Sequence, residues 1–190
     1  GKYELDKSFE KYVLMPGLVE GHSHLFEGAL WSKLYCGYFD RQKPDGTMSL
    51  GIKNVKELVQ KLKHENETLL DPNAPLAGWG LDPIYFDDKA LDRKILDEVS
   101  DQRPIGILHA SGHKLNINSV GLKLAGFLRT GINHEGLPLG EDGLPSGEIR
   151  GAETIALVTR HVGLGKDWLS GDAEGLRNFG KICARAGVTT

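Results

Sequence analysis

The sequence contains no apolar run approaching the ~18 residues that a membrane-crossing helix needs, so no helical span is expected. It also lacks an excess of cations: 23 Lys and Arg face 26 Asp and Glu, for a formal charge of −3, and the basic residues are scattered. A basic stripe that would track a phosphate backbone is missing, which argues against nucleic acid as a partner. Only two cysteines occur, Cys36 and Cys183, too far apart in sequence to form a paired metal or redox motif and too few for a disulfide scaffold. A reducing, cytoplasmic compartment is the default that follows. There is no internal repeat, no low-complexity tract, no initiator Met and no apolar signal segment. The chain opens on Gly1-Lys2-Tyr3 and stops at Val188-Thr189-Thr190, where a β-branched run has just begun, so both ends read as cut.

What is present is a globular composition, 39% hydrophobic and 26% charged over 190 residues, enough for one sizeable core. Glycine is abundant, at 25 residues, and marks many turns and close backbone approaches. Two extended runs flank Pro16-Gly17, and the second, Leu18 to His24, is expected to be a buried strand. A short helix follows between Phe26 and Gly37. Val55, Leu58, Val59 and Leu62 recur at helical spacing after Asn54, a natural N-cap, and predict a helix over 54–70. Strands are expected at 76–80 and 104–109, and helices at 91–99, 116–125, 153–161 and 173–186, with Gly-rich loop or hairpin over 131–147. This alternation is that of an α/β protein.

His22 and His24 carry the chemistry. Two residues apart on a strand, their imidazoles project from one side, and two such nitrogens make a rigid half-site for a divalent transition metal. Glu20 shares that face, where it either hydrogen-bonds a ligand or stands behind the histidines without touching the metal. A bare His-x-His pair also arises by chance on surface strands, so the surrounding residues decide.

The segment Met15-Pro16-Gly17-Leu18-Val19-Glu20-Gly21-His22-Ser23-His24 resembles the first-strand signature of the amidohydrolase superfamily, in which Asp more often stands at the position of Glu20. Gly78-Trp79-Gly80, Leu96-Asp97 to Pro104, Gly112-His113, Asn118-Ser119 and Asp142-Gly143-Leu144-Pro145-Ser146-Gly147 recur in that order in amidohydrolase family 3, whose members include deformylase-like and imidase-like enzymes. The resemblance covers residues 11–190. It implies a metal-dependent (β/α)8 barrel whose active site lies at the carboxyl ends of its strands. Residues 1–30 would supply the first barrel strand and the start of its helix, 31–150 an α+β insertion, and 151–190 the return to the barrel, ending before the next strand is complete.

It further implies one or two divalent ions, zinc foremost, bound at His22 and His24, with the remaining ligands and the acid/base residue beyond Thr190. The reaction would be hydrolysis of a carbon–nitrogen bond in a small-molecule amide, formamide or cyclic amide by metal-activated water. Residues 1–190 alone would then be inactive. The alternative is an inactive homologue whose insertion serves binding or assembly, and an exposed parallel sheet edge would favour a homo-oligomer.

Outside the pair, Trp79 lies between two glycines before an acidic, aromatic loop, where an indole either meets substrate or simply packs. By resemblance His113 borders the active-site mouth; a hydrogen-bonded structural role is the competing reading. His109 reads as a satisfied core imidazole at a strand end. His64, His134 and His161 read as surface residues, and Asp82, Asp87 and Asp88 as a hydrated loop cluster without a partner base.

Overall fold

The computed structural model describes residues 2–86, 90–165 and 172–190. Asp87 and Asp88 lie outside the described residues. A five-stranded mixed sheet organises the chain, in the order β1 (Leu34–Tyr35), β4 (Leu76–Leu81), β5 (Ile105–His109), β6 (Lys114–Ile117) and β7 (Glu148–Arg150). β1, β4 and β5 run parallel, whereas β6 is antiparallel to both β5 and β7. A separate antiparallel hairpin pairs β2 (Arg41–Gln42) with β3 (Met48–Ser49). Among the described residues the α-helices are α1 (Glu27–Leu30), α2 (Val55–Thr68), α3 (Arg93–Asp97), α4 (Ser119–Leu124), α5 (Ala152–Val158) and α6 (Ala173–Arg185).

Both faces of the sheet are covered, which is why β4 and β5 read as continuous apolar runs with no polar side. Alternation of side chains splits them into two cores. On one face Ala77, Trp79, Leu108, Leu115, Ile117 and Ile149 pack against Leu30, Leu122, Ile155, Val158, Val162 and Leu164. On the other, Leu76, Leu81, Ile105 and Ile107 meet Leu58 and Leu62 of α2 and the Leu91–Val99 segment. The helix expected at 54–70 is α2, capped as the sequence indicated: the Asn54 side chain accepts from the Glu57 N–H at 2.8 Å. The pattern at 116–125 divides at Asn118, where β6 ends and α4 begins. Asn118 caps Gly121 N–H and also bonds Ile105 N–H, Ser100 O and Arg103 O, which ties helix, strand and turn together.

Gly78-Trp79-Gly80 is a β-bulge. Gly80 has φ +89°, a left-handed conformation that disfavours side chains, and the register slips so that Leu81 rather than residue 80 faces His109. A Cβ at Gly80 would also press on the Tyr35 ring at 2.9 Å.

The expected buried strand over 18–24 is not found. Residues 11–24 are exposed, and among the described residues the only strand pairing there is a parallel bridge from Leu18 to Val188. Three backbone bonds make this short ladder: Leu18 N–H to Gly187 O, Thr189 N–H to Leu18 O and Glu20 N–H to Thr190 O, at 2.8, 2.9 and 2.8 Å. A strand that reads as apolar is buried only when sheet neighbours and a covering layer are present; with one partner at its edge, Val19 keeps 73% of its surface exposed. The two segments that pair are the expected strand over 18–24 and the β-branched run that begins at Val188.

Candidate metal centre and adjoining cavity

Beyond the ladder the backbone turns, and the Glu20 carboxylate accepts a hydrogen bond from the His22 backbone N–H at 2.8 Å. Glu20 thus braces the turn that carries the first histidine and does not bond an imidazole. The His22 and His24 rings then converge edge to face, with their Nε2 atoms 3.3 Å apart. Two nitrogens each about 2.0–2.1 Å from one tetrahedral ion lie about 3.3–3.4 Å apart, so the spacing matches the bite of a shared metal. Without an ion the same approach is a hydrogen bond from one protonated Nε2 to the other lone pair. The His24 ring also stacks on Phe26 at 5.3 Å, which fixes its plane. Among the described residues no third His, Cys, Asp or Glu joins the pair.

A cavity of about 710 Å³ opens beside His24. Its lining gathers residues that lie far apart in sequence: Trp79, His109 and His113 at the carboxyl ends of β4 and β5, and Asp82 just after β4. The sequence therefore singled out His24, Trp79 and His113 from one neighbourhood, whereas His22 stands outside the lining. His113 is exposed at the mouth, on the turn after β5. Asp82 caps the following helical turn, accepting from Ile84 N–H at 3.3 Å, and has a structural task there. His64 and His134 are exposed, as expected, and His161 is half-buried, with its Nε2 accepting from Arg160 Nε at 3.0 Å.

The aromatic character of the cavity was legible only in part. Trp79 packs edge-on against Trp31 and Tyr35, each at 5.1 Å, and Tyr38, Phe39 and Tyr85 form a second group with centroids 4.9–5.2 Å apart. The 81–89 loop showed its aromatics plainly. Tyr35 fell inside the helix expected between Phe26 and Gly37, but that helix ends at Leu30 and Tyr35 lies on a two-residue strand, and Tyr38 and Phe39 follow on an irregular turn without a periodic signal. Arg185 of α6 donates to Lys43 O and Pro44 O, at 2.6 and 2.5 Å, and holds the β2–β3 hairpin next to these aromatics.

His109 is buried, and its Nε2 lies 2.5 Å from Asn116 Oδ1. Burial lowers the imidazole pKa below the usual 6.5, with the Asn116 bond acting in the opposite sense. Burial also pushes the Cys36 thiol up to about 12, so it is protonated and no nucleophile.

A model of the amidohydrolase family matches residues 11–190. LONG AFTER FAR-RED 3 of Arabidopsis thaliana is 27% identical over 128 residues, 67% of this chain but only 20% of the plant protein. Among solved structures, an uncharacterized metal-dependent hydrolase from Pyrococcus horikoshii OT3 shares the fold over 93% of this chain, with a TM-score of 0.52 and 16% identity. This chain spans 30% of that protein's length. A metal-dependent hydrolase from Pyrococcus furiosus aligns with a TM-score of 0.49 and 17% identity over 92% of this chain and 31% of its own.

Proposed function

The chain belongs to the amidohydrolase family, and from that premise we propose that it forms part of a metal-dependent hydrolase of carbon–nitrogen bonds in small amides, formamides or cyclic amides. The observation that carries the reading is the 3.3 Å approach of His22 and His24 Nε2, the separation of two ligands on one tetrahedral ion. In this reading His22 and His24 hold a divalent ion, zinc foremost, and further ligands come from residues beyond Thr190. When bound, such an ion supplies Lewis acidity, lowering the pKa of a water toward neutrality and polarising a carbonyl. The net reaction adds water across the C–N bond: oxygen joins the acyl carbon, and the nitrogen leaves as an amine with the proton.

The chain's own residues orient and desolvate. Phe26 fixes the plane of His24, and the Glu20 carboxylate holds the turn at His22. The aromatic cavity beside His24 takes the apolar body of the substrate, with Trp79 in its wall and His113 at its mouth. The parallel ladder between 18–20 and 187–190 fits two neighbouring strands of a (β/α)8 barrel, with an α+β insertion between them. In this reading the insertion covers 31–150 and residues 151–190 return to the barrel, with Val162 and Leu164 packed in the same core as Trp79 and Ile117.

The test is hydrolysis of a panel of anilides, formamides and cyclic imides by the whole protein, metal-depleted and then reloaded with zinc, manganese or iron. Turnover that vanishes on chelation and returns with the ion supports the reading; metal-independent turnover, or none on any panel member, removes it. Residues 1–190 alone are expected to give no turnover, since two imidazoles do not close a four-ligand site.

A further inference from the structure

The β2–β3 hairpin is held by cations that end on main-chain carbonyls. Arg185 donates to Lys43 O and Pro44 O, Lys53 Nζ to Tyr38 O, and Lys61 Nζ to Leu50 O at 2.9 Å. Its base is closed by the bond from Ile52 N–H to Gly37 O at 2.9 Å and by that from Gly51 N–H to Asp40 Oδ1 at 2.8 Å. Arg41, the first residue of β2, differs from these cations. Its guanidinium bonds no carbonyl and pairs with no carboxylate among the described residues, and Asp40 beside it is engaged at Gly51. Arg41 is exposed, lines the cavity beside His24, and is the one Lys or Arg among the described residues that does so.

An exposed arginine needs no partner in water; what marks this one is its surroundings. Tyr35 Oη donates to Phe39 O at 2.8 Å, which sets the main chain two residues before Arg41 against the Tyr35 phenol. Burial raises that phenol above its ordinary 10 and the Arg41 charge acts in the opposite sense, so the guanidinium stands within electrostatic reach of the hydroxyl. The Tyr35 ring in turn packs on Trp79 at 5.1 Å and on Trp31 at 5.6 Å. Phe39 and Tyr85 also line the cavity, edge to face at 5.1 Å, and keep 55% and 44% of their surface exposed. Two open rings in contact, beside an unpaired guanidinium on a braced hairpin, offer apolar surface to a flat body and a fork of N–H donors to a planar anion. The acids of the lining, Glu27 on α1 and Asp82 after β4, form no ion pair with Arg41.

Building on the reading of this cavity as the substrate pocket, we infer that Arg41 is a specificity residue that selects amides whose aromatic or similarly flat body carries a carboxylate. The body lies on Phe39 and Tyr85, and the carboxylate accepts from the guanidinium. An anion anchored at the rim also orients the substrate, because its amide end is then the one that enters the cavity.

The experiment is calorimetric binding to the metal-free whole protein, so that it does not depend on turnover. The probes are 4-acetamidobenzoate and acetanilide, which differ only in the carboxylate. The native protein is expected to bind the carboxylate about tenfold more tightly, the size of one charge-assisted pair. Arg41→Met should bring the two probes within about twofold, and Arg41→Lys, a point charge without the fork, should keep a preference of about threefold. Phe39→Ala should weaken both probes about fivefold and keep the ratio between them. Thermal melting checks that each variant is folded. Equal affinity for the two probes in the native protein, no binding of either, a tenfold preference that survives Arg41→Met, or unchanged affinities in Phe39→Ala would each overturn the inference. The expected ratios without hydrolysis of any amide would remove the hydrolase reading alone. Hydrolysis of both amides with equal KM, insensitive to Arg41→Met, would remove the inference and leave that reading in place.

Discussion

At the scale of single residues, the sequence singled out His22 and His24, whose rings converge, and Trp79 and His113, which line the cavity beside His24, but not the contacts each one makes. His22 and His24 stood out through spacing and through the Pro-Gly turn before them, and the structure brings their Nε2 atoms together. Glu20 shared their face by parity and was expected near a ligand, yet its carboxylate turns back to the His22 N–H. Its flexible side chain reaches a backbone N–H two residues on and takes that local bond instead. His109 shows the converse: sequence placed it as a satisfied core imidazole, but its pairing depends on Asn116, seven positions away across a strand turn.

That burial has a measurable consequence. The folded His109 pKa lies below the ordinary 6.5, so between 6.5 and the folded value the unfolded chain takes a proton that the folded one refuses. The contribution to stability is therefore whole above 6.5 and is lost as pH falls through the folded value. Chemical denaturation at about pH 7.5 and about pH 5.5 should show a larger loss for the native protein than for His109→Gln. Parallel losses would show that another group governs this window.

Among secondary-structure elements, capped and strongly periodic ones were read well and short ones were not. α2 has both a periodic apolar stripe and an N-cap, and Asn54→Ala should cost about 1 kcal/mol in equilibrium unfolding, since Glu57 N–H loses its acceptor. α1 is a single turn, and nothing in its composition foretold its main contact. Gly28 of α1 lies against Gly175 of α6 so closely that a Cβ at Gly28 would sit 1.9 Å from Gly175 O. This backbone-to-backbone contact fastens the His24 segment to the helix that precedes residues 187–190. Gly28→Ala is expected to destabilise by about 1–3 kcal/mol and to weaken metal binding, because the two segments can no longer close. Full thermal stability in that variant would show that α1 and α6 are not packed in this way.

For the whole molecule, composition and alternation of elements sufficed for the α/β class, and the sheet is mixed because β6 returns antiparallel beside β5. That reversal was hidden: Lys114–Ile117 is too short to show a period and runs straight into the cap of α4. The exposure of residues 11–24 was hidden for a different reason, since sequence reports that a strand is apolar but not how many neighbours cover it. The pairing of residues 18–20 with 187–190 in parallel is the observation that unites the fold with the site, because the histidines follow directly after that short ladder.

The central claim is that His22 and His24 bind one divalent ion. Metal content per protomer, measured by mass spectrometry on the whole protein after exhaustive dialysis, tests it in the native form and in His22→Ala and His24→Ala. The account predicts a bound divalent ion in the native protein and its loss in each variant, with the fold retained by circular dichroism. Native-level metal in either variant, or no metal in the native protein after incubation with zinc, would contradict it.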